Sequence, residues 1–268
     1  MSLAPQTCFS PGRILFNRAA RRLIWPHPHL YLPVGMARQR GNVLSAGVDL
    51  HISGYPRSGN TFSRTAFLSS NPAARIQSHR HIPTFVLQKV RCGVPGIVLI
   101  RDPLDAAISW SIHCNQPIEE AVAYWNDYYE ALMPVRSKLF VATFEDVTAD
   151  FGTVMRAFNA KWGTAYVPFD HTPEATNDCF QVTEEEHREP GGNIREMQVC
   201  RPSPSRRRLK EKYLRELPQS AFLRDELAFA REIYHAFVHY RAAMGRQPSA
   251  GLMREPSGHN PMGAGALV

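Results

Sequence analysis

VDLHISGYPRSGNTF, residues 48–62, is the stretch on which the reading of the fold turns. VDLHIS is a short apolar run with glycine on both sides, as a buried strand would be. GYPRSGNT (54–61) then follows the nucleotide-loop pattern GxxxxGK[ST] at Gly54, Gly59 and Thr61. At the lysine position it carries Asn60, and a cation appears three places earlier as Arg57. Glycines at these positions let the backbone turn tightly, so that successive amides form a nest for an anion. A helix opening near Thr61 adds the positive end of its dipole to the same spot. The strand–loop–helix unit thus predicts an anion cradle, one that lacks the lysine with which ATP and GTP enzymes reach the β- and γ-phosphates.

Working outward, strands and helices alternate. TFSRTAFLSS reads as a helix stopped by Asn71-Pro72, and IPTFVLQKVRCG as another ending at Gly93. GIVLIRD (96–102) is the clearest strand, followed by Asp102-Pro103 as N-cap and first-turn proline of the helix PLDAAISWSIHC. IEEAVAYWNDYYEALMP is a long amphipathic helix whose aromatics read as core, KLFVATFED a third strand, and VTADFGTVMRAFNAKWG a helix. After about residue 170 the chain reads as polar until the helices SRRRLKEKYLREL and AFLRDELAFAREIYHAFVHYRAAMG. Strands separated by helices predict an α/β three-layer sandwich with a mostly parallel central sheet, of the P-loop nucleoside-triphosphate-hydrolase-like kind. In such sheets ligands sit beyond the carboxyl ends of the strands, where GYPRSGNT and RDPLDAAIS both fall. The domain reading is an irregular lead-in over 1–47 with one short helix near 13–24, a single α/β domain over 48–245, and a disordered tail over 246–268.

The 268 residues are 44% apolar and 21% charged, ordinary for a globular chain. A net charge of +7 favours anionic partners. Five scattered cysteines give no zinc spacing and no disulfide framework, as expected of free thiols in a reducing compartment. No apolar run approaches the ~20 residues of a membrane span. The basic N-terminus lacks the apolar core of a secretion signal, so the expectation is a cytoplasmic protein.

Here a family resemblance enters. GYPRSGNTF resembles the 5′-phosphosulfate-binding loop of sulfotransferases, commonly YPKSGTTW. Arg57 matches that family's lysine, Ser58, Gly59, Asn60 and Thr61 match the loop, and Phe62 replaces the aromatic residue beside the adenine. IVLIRDPLDAAISW resembles the family's 3′-phosphate segment, with Arg101 and Ser109 at the matching positions. A rigid guanidinium suits a phosphate that it can grip with two bonds. SHRHIPTF resembles the stretch THLP, whose histidine takes the acceptor's proton; His81 fits best and His79 is its rival. FVATFEDV resembles a strand usually reading FYED, with Phe144 lacking the hydroxyl. The family's late RKGxxG segment has no counterpart, and Arg206 or a neighbour in SRRRLK is left to close over the 3′-phosphate. The resemblance covers residues 48–160 and implies sulfuryl transfer from 3′-phosphoadenosine 5′-phosphosulfate to a hydroxyl or amine. Its implied acceptor is a small molecule or glycan (a carbohydrate or glycolipid), with no metal and no nucleic acid. The alternatives are a P-loop kinase or NTPase using Asp102 for its metal, and a non-enzymatic polyanion-binding protein using SRRRLK and the basic N-terminus.

Overall fold

A computed structural model describes residues 10–31, 47–78, 80–186, 188, 192, 199 and 201–244. The predicted 246–268 tail lies outside them. Four strands form one sheet in the order β2-β1-β3-β4, every pair parallel: β1 (Leu50–Gly54), β2 (Ile76–Gln77), β3 (Gly96–Ile100) and β4 (Phe140–Thr143). The helices in chain order are α1 (Pro11–Ile24), α2 (Asn60–Ser70), α3 (Pro83–Arg91), α4 (Pro103–Cys114), α5 (Ile118–Leu132), α6 (Phe144–Trp162), α7 (Pro173–Glu186), α8 (Pro204–Arg215) and α9 (Ala221–Met244).

A parallel strand covered on both faces must be apolar on both, and β3 shows it. Val98 and Ile100 face a core built with Trp125, Tyr128 and Tyr129 of α5 and Phe237 of α9. Ile97 and Leu99 face the opposite core, with Phe62 and Phe67 of α2 and Phe151 and Phe158 of α6. Each large apolar side chain so buried contributes about 1.5–3 kcal/mol. These two cores, one on each face of the sheet, make the predicted three-layer α/β sandwich.

The strand order sets the site. β1 connects outward to β2 on one side, β3 outward to β4 on the other, and the two strands are neighbours with Gly54 opposite Leu99. Their carboxyl ends therefore adjoin where the winding reverses, which opens a crevice. Gly54 serves this closeness rather than the turn: a Cβ there would collide with the backbone carbonyl of Leu99.

Two elements differ from the sequence reading. β2 is only two residues long, too short for a periodicity. The polar stretch after 170 contains α7, which buries only Cys179 and Thr183 and so shows no apolar stripe, yet it packs against α2. The short helix expected near 13–24 is present as α1, fourteen residues long, capped by Ser10 and packed on α5.

Candidate functional site

The loop between β1 and α2 is anchored by aromatic side chains of α5. The Tyr55 amide donates to the Tyr129 hydroxyl (3.2 Å), which in turn donates to the Leu99 carbonyl (2.6 Å). The Tyr55 hydroxyl reaches Ala121 O at 2.9 Å. One phenol thus ties the start of the loop to the end of β3. Asn60 closes the loop from the other side, its Nδ2 donating to the Tyr55 carbonyl at 2.9 Å while the residue is buried. The residue at the usual lysine position is therefore a structural staple.

Two loop residues take positive φ: Gly59 (93°) and Arg57 (65°). For arginine the left-handed region costs about 1–2 kcal/mol, a strain that surrounding contacts must hold. Arg101 is one holder, its Nη1 donating to the Arg57 carbonyl at 3.0 Å. Gly59 is also the N-cap of α2 and has no side chain with which to cap it. Ser58 is fully buried beneath the loop, and Thr61 lies in the first turn of α2.

The second junction leaves β3 through Arg101 and Asp102 into α4. Asp102 Oδ1 accepts from the Asp105 amide (2.9 Å) and Pro103 starts the helix, as the sequence predicts. The Arg101 guanidinium lies 4.0 Å from the centre of the Phe144 ring, near enough for a cation–π contact. Phe144 therefore gives a platform where the related motif has a phenol. Asp105 Oδ2 lies 3.6 Å from Arg101 Nη2, and Lys210 of α8 shares that carboxylate at 2.7 Å. Burial lowers the Arg101 pKa, with Arg57 adding to the effect against the nearby carboxylates. Its Nε is buried with no hydrogen-bond partner among the described residues.

Ser109, two turns into α4, joins the two junctions. Its Oγ accepts from Arg57 Nε (3.3 Å) and from Arg206 Nη2 (3.2 Å). The same two guanidiniums share the Val199 carbonyl, at 3.0 Å from Arg57 and 2.6 Å from Arg206. Of the basic run in SRRRLK it is Arg206 that turns inward, because it stands in the first turn of α8 behind the Ser203 cap; Arg207 and Arg208 are exposed. Arg57, Arg101, Ser109 and Arg206 are thus brought into one connected cluster.

His81 stands beside it. Its Nδ1 lies 2.9 Å from the Gly54 carbonyl. A carbonyl can only accept, so Nδ1 carries the proton and Nε2 keeps a lone pair. Burial lowers the imidazole pKa, the Gly54 bond opposes this, and the Arg57 charge lowers it further. Tyr124 holds the residue's carbonyl at 2.6 Å. The rival His79 lies outside the described residues. The Phe62 ring packs against Phe151, Phe169, His171 and Phe180. Sequence reasoning missed Tyr129 as the link between strands and Phe144 as the arginine platform, since both depend on contacts across elements.

No family model and no curated protein matches the sequence. Among solved structures the chain is similar to the mouse sulfotransferase SULT7A1 complexed with PAP, at 16% identity and a TM-score of 0.36. The match covers 69% of this chain and 90% of that one. A likeness so distant carries no argument about the site.

Proposed function

We propose that the chain is a sulfotransferase moving a sulfuryl group from 3′-phosphoadenosine 5′-phosphosulfate to a hydroxyl or amine acceptor. The observation that carries this reading is the linkage of Arg57 and Arg206 through Ser109, with Arg101 held on the Arg57 carbonyl, beside an uncapped left-handed loop at the paired ends of β1 and β3. Neighbouring guanidiniums repel one another, and the cluster suits a ligand with two separated anions better than it suits none. In this reading the loop amides with Ser58, Gly59, Asn60 and Thr61 hold the 5′-phosphate, Asn60 through its staple. Ser109, Arg101 and Arg206 hold the 3′-phosphate and so set the donor's register.

Arg57 meets the charge that develops on the bridging oxygen as its bond to sulfur breaks. To do so it exchanges Ser109 and the Val199 carbonyl for the anion. His81 Nε2 takes the proton of the acceptor as the new bond to sulfur forms, a role suited to an imidazole kept neutral by burial. The acceptor class proposed is a small molecule or glycan, and the compartment the cytoplasm. The described Cys92, Cys114 and Cys179 are free, and no described helix is long and apolar enough to cross a membrane.

Two observations weigh against the rivals. A kinase would need Asp102 for its metal, but that carboxylate already caps α4. A polyanion binder would need its N-terminal arginines turned to solvent, but Arg18 and Arg21 are largely buried in ion pairs with Asp127 and Glu226.

The test is to incubate the protein with the phosphosulfate donor and a panel of hydroxylated and amine acceptors, measuring adenosine 3′,5′-bisphosphate. Release that depends on an acceptor, and is lost in both Arg57→Ala and Arg101→Ala, is the expected result. Magnesium-dependent ATP turnover without response to phosphosulfate would overturn it.

A further inference from the structure

Helix α1 is mounted with its charged face inward. Arg18 and Arg21 are 12% and 17% exposed, and both bond to Asp127 of α5, whose side chain is wholly buried. Arg18 also bonds to Glu226 of α9, Arg13 to Glu120 (2.9 Å) and Arg22 to Glu130 (2.6 Å). Of the apolar residues on the helix only Ile14 is buried. At 100° per residue, Leu15, Phe16, Ala19 and Leu23 share one face, and it points to solvent: Leu15, Phe16 and Leu23 are 57%, 74% and 68% exposed. A surface helix ordinarily buries its apolar stripe and offers its charges to water. Here four carboxylates of α5 and α9, Glu120, Asp127, Glu130 and Glu226, fix the opposite orientation.

We infer that this stripe docks the protein on an anionic membrane surface, lying in the interface without spanning it. The charge around it selects the occupant. Residues 1–48 contain six arginines and no Asp, Glu or Lys, and the whole chain carries +7. Arg13 and Arg22, each 46% exposed, flank the apolar face and keep donors for headgroup phosphates. An apolar face bordered by arginines is the composition that binds acidic bilayers. A second copy is disfavoured, because pairing two such stripes about a two-fold axis would bring their arginine borders together. The inference is independent of the chemistry at Ser109.

The experiment floats the full chain with vesicles of phosphatidylcholine alone, or of phosphatidylcholine with one third phosphatidylglycerol. Wild type is expected to float with the anionic vesicles only, and to be released by added salt. Phe16→Ser/Leu23→Ser, changing two exposed side chains, should keep the wild-type melting temperature and lose about a hundredfold in partitioning. Absence of flotation by wild type overturns the inference, whatever the variant does. Equal flotation of the two proteins overturns it too. So does sedimentation showing a wild-type dimer that the variant lacks, without vesicle binding, which would give the stripe to a second copy.

Discussion

The two strand–helix units that frame the crevice, residues 50–70 and 96–114, look alike in sequence and are built differently. In the second, β3 is apolar on both faces and the helix is capped by its own Asp102, so the Asp105 amide is satisfied within the chain. What this junction offers an anion is side chains, Arg101 and Ser109. In the first, β1 is apolar on one face and carries His51 and Ser53 on the other; the loop runs through two positive-φ residues, and α2 starts on a glycine that caps nothing. That junction offers backbone amides. Anions at the two ends would be gripped by different physics: a dipolar backbone cradle on one side and a charged side-chain fork on the other.

The strongest way to break this contrast is Arg57→Ala, since Arg57 belongs to the first loop by its backbone and reaches the second unit by its side chain. Turnover should fall about a thousandfold, an electrostatic loss at the reacting end, while affinity for adenosine 3′,5′-bisphosphate changes far less. An equal loss in both would make Arg57 a binding residue only.

Next in size is the pH response of β1. His51 is buried against Gly96, and its pKa is lowered to about 4, first by burial and then by the Lys89 charge. The folded protein keeps this imidazole neutral, whereas the unfolded chain protonates it near 6.5. Its contribution is therefore intact above pH 6.5 and lost as pH falls towards 4, by up to about 3 kcal/mol. Asp127, raised to about 6 chiefly by burial, acts in the opposite sense over an overlapping range. Urea unfolding of wild type and His51→Leu at pH 7.5 and pH 4.5 isolates His51, because Asp127 is common to both. A His51→Leu stability that falls with acid as steeply as wild type would refute the assignment.

Arg101→Ala should weaken adenosine 3′,5′-bisphosphate binding by roughly 10- to 100-fold, the worth of charged hydrogen bonds, when titrated calorimetrically. Because Arg101 also holds the carbonyl of the strained Arg57, Arg101→Lys, which keeps the charge but not the fork, is expected to recover only part.

The smallest effect sharpens the contrast. Asp102→Ala removes the α4 cap and should lower unfolding free energy by about 1 kcal/mol with nucleotide affinity nearly unchanged. A large affinity change would mean that the second junction also presents its amides to the ligand.

Much of this frame was legible along the chain. Strand and helix alternation, the loop and the Asp102-Pro103 helix start depend on neighbours a few residues apart, and the run of four apolar residues in β3 already implied cover on both faces. Arg101 and Ser109 were singled out by family resemblance, and Arg57 and Arg101 lie next to strand ends that a parallel sheet must bring to one edge. The meeting of Arg57 and Arg206 at the Ser109 hydroxyl was not legible, nor was the choice of Arg206 over the adjacent arginines, which turns on where one helix begins.

The residues alone determined a parallel α/β sheet with two basic strand–helix junctions on one edge, because periodicity, turn chemistry and capping are short-range. Packing decided the rest: Asn60 as a staple instead of a missing cation, Phe62 in the core, the Nδ1–H tautomer of His81, and α1 turned with its leucines outward. Each of these depends on a partner far along the chain or across an element boundary, Gly54 for His81 and Asp127 for α1. Burial and pairing at that distance exist only once the layers have closed.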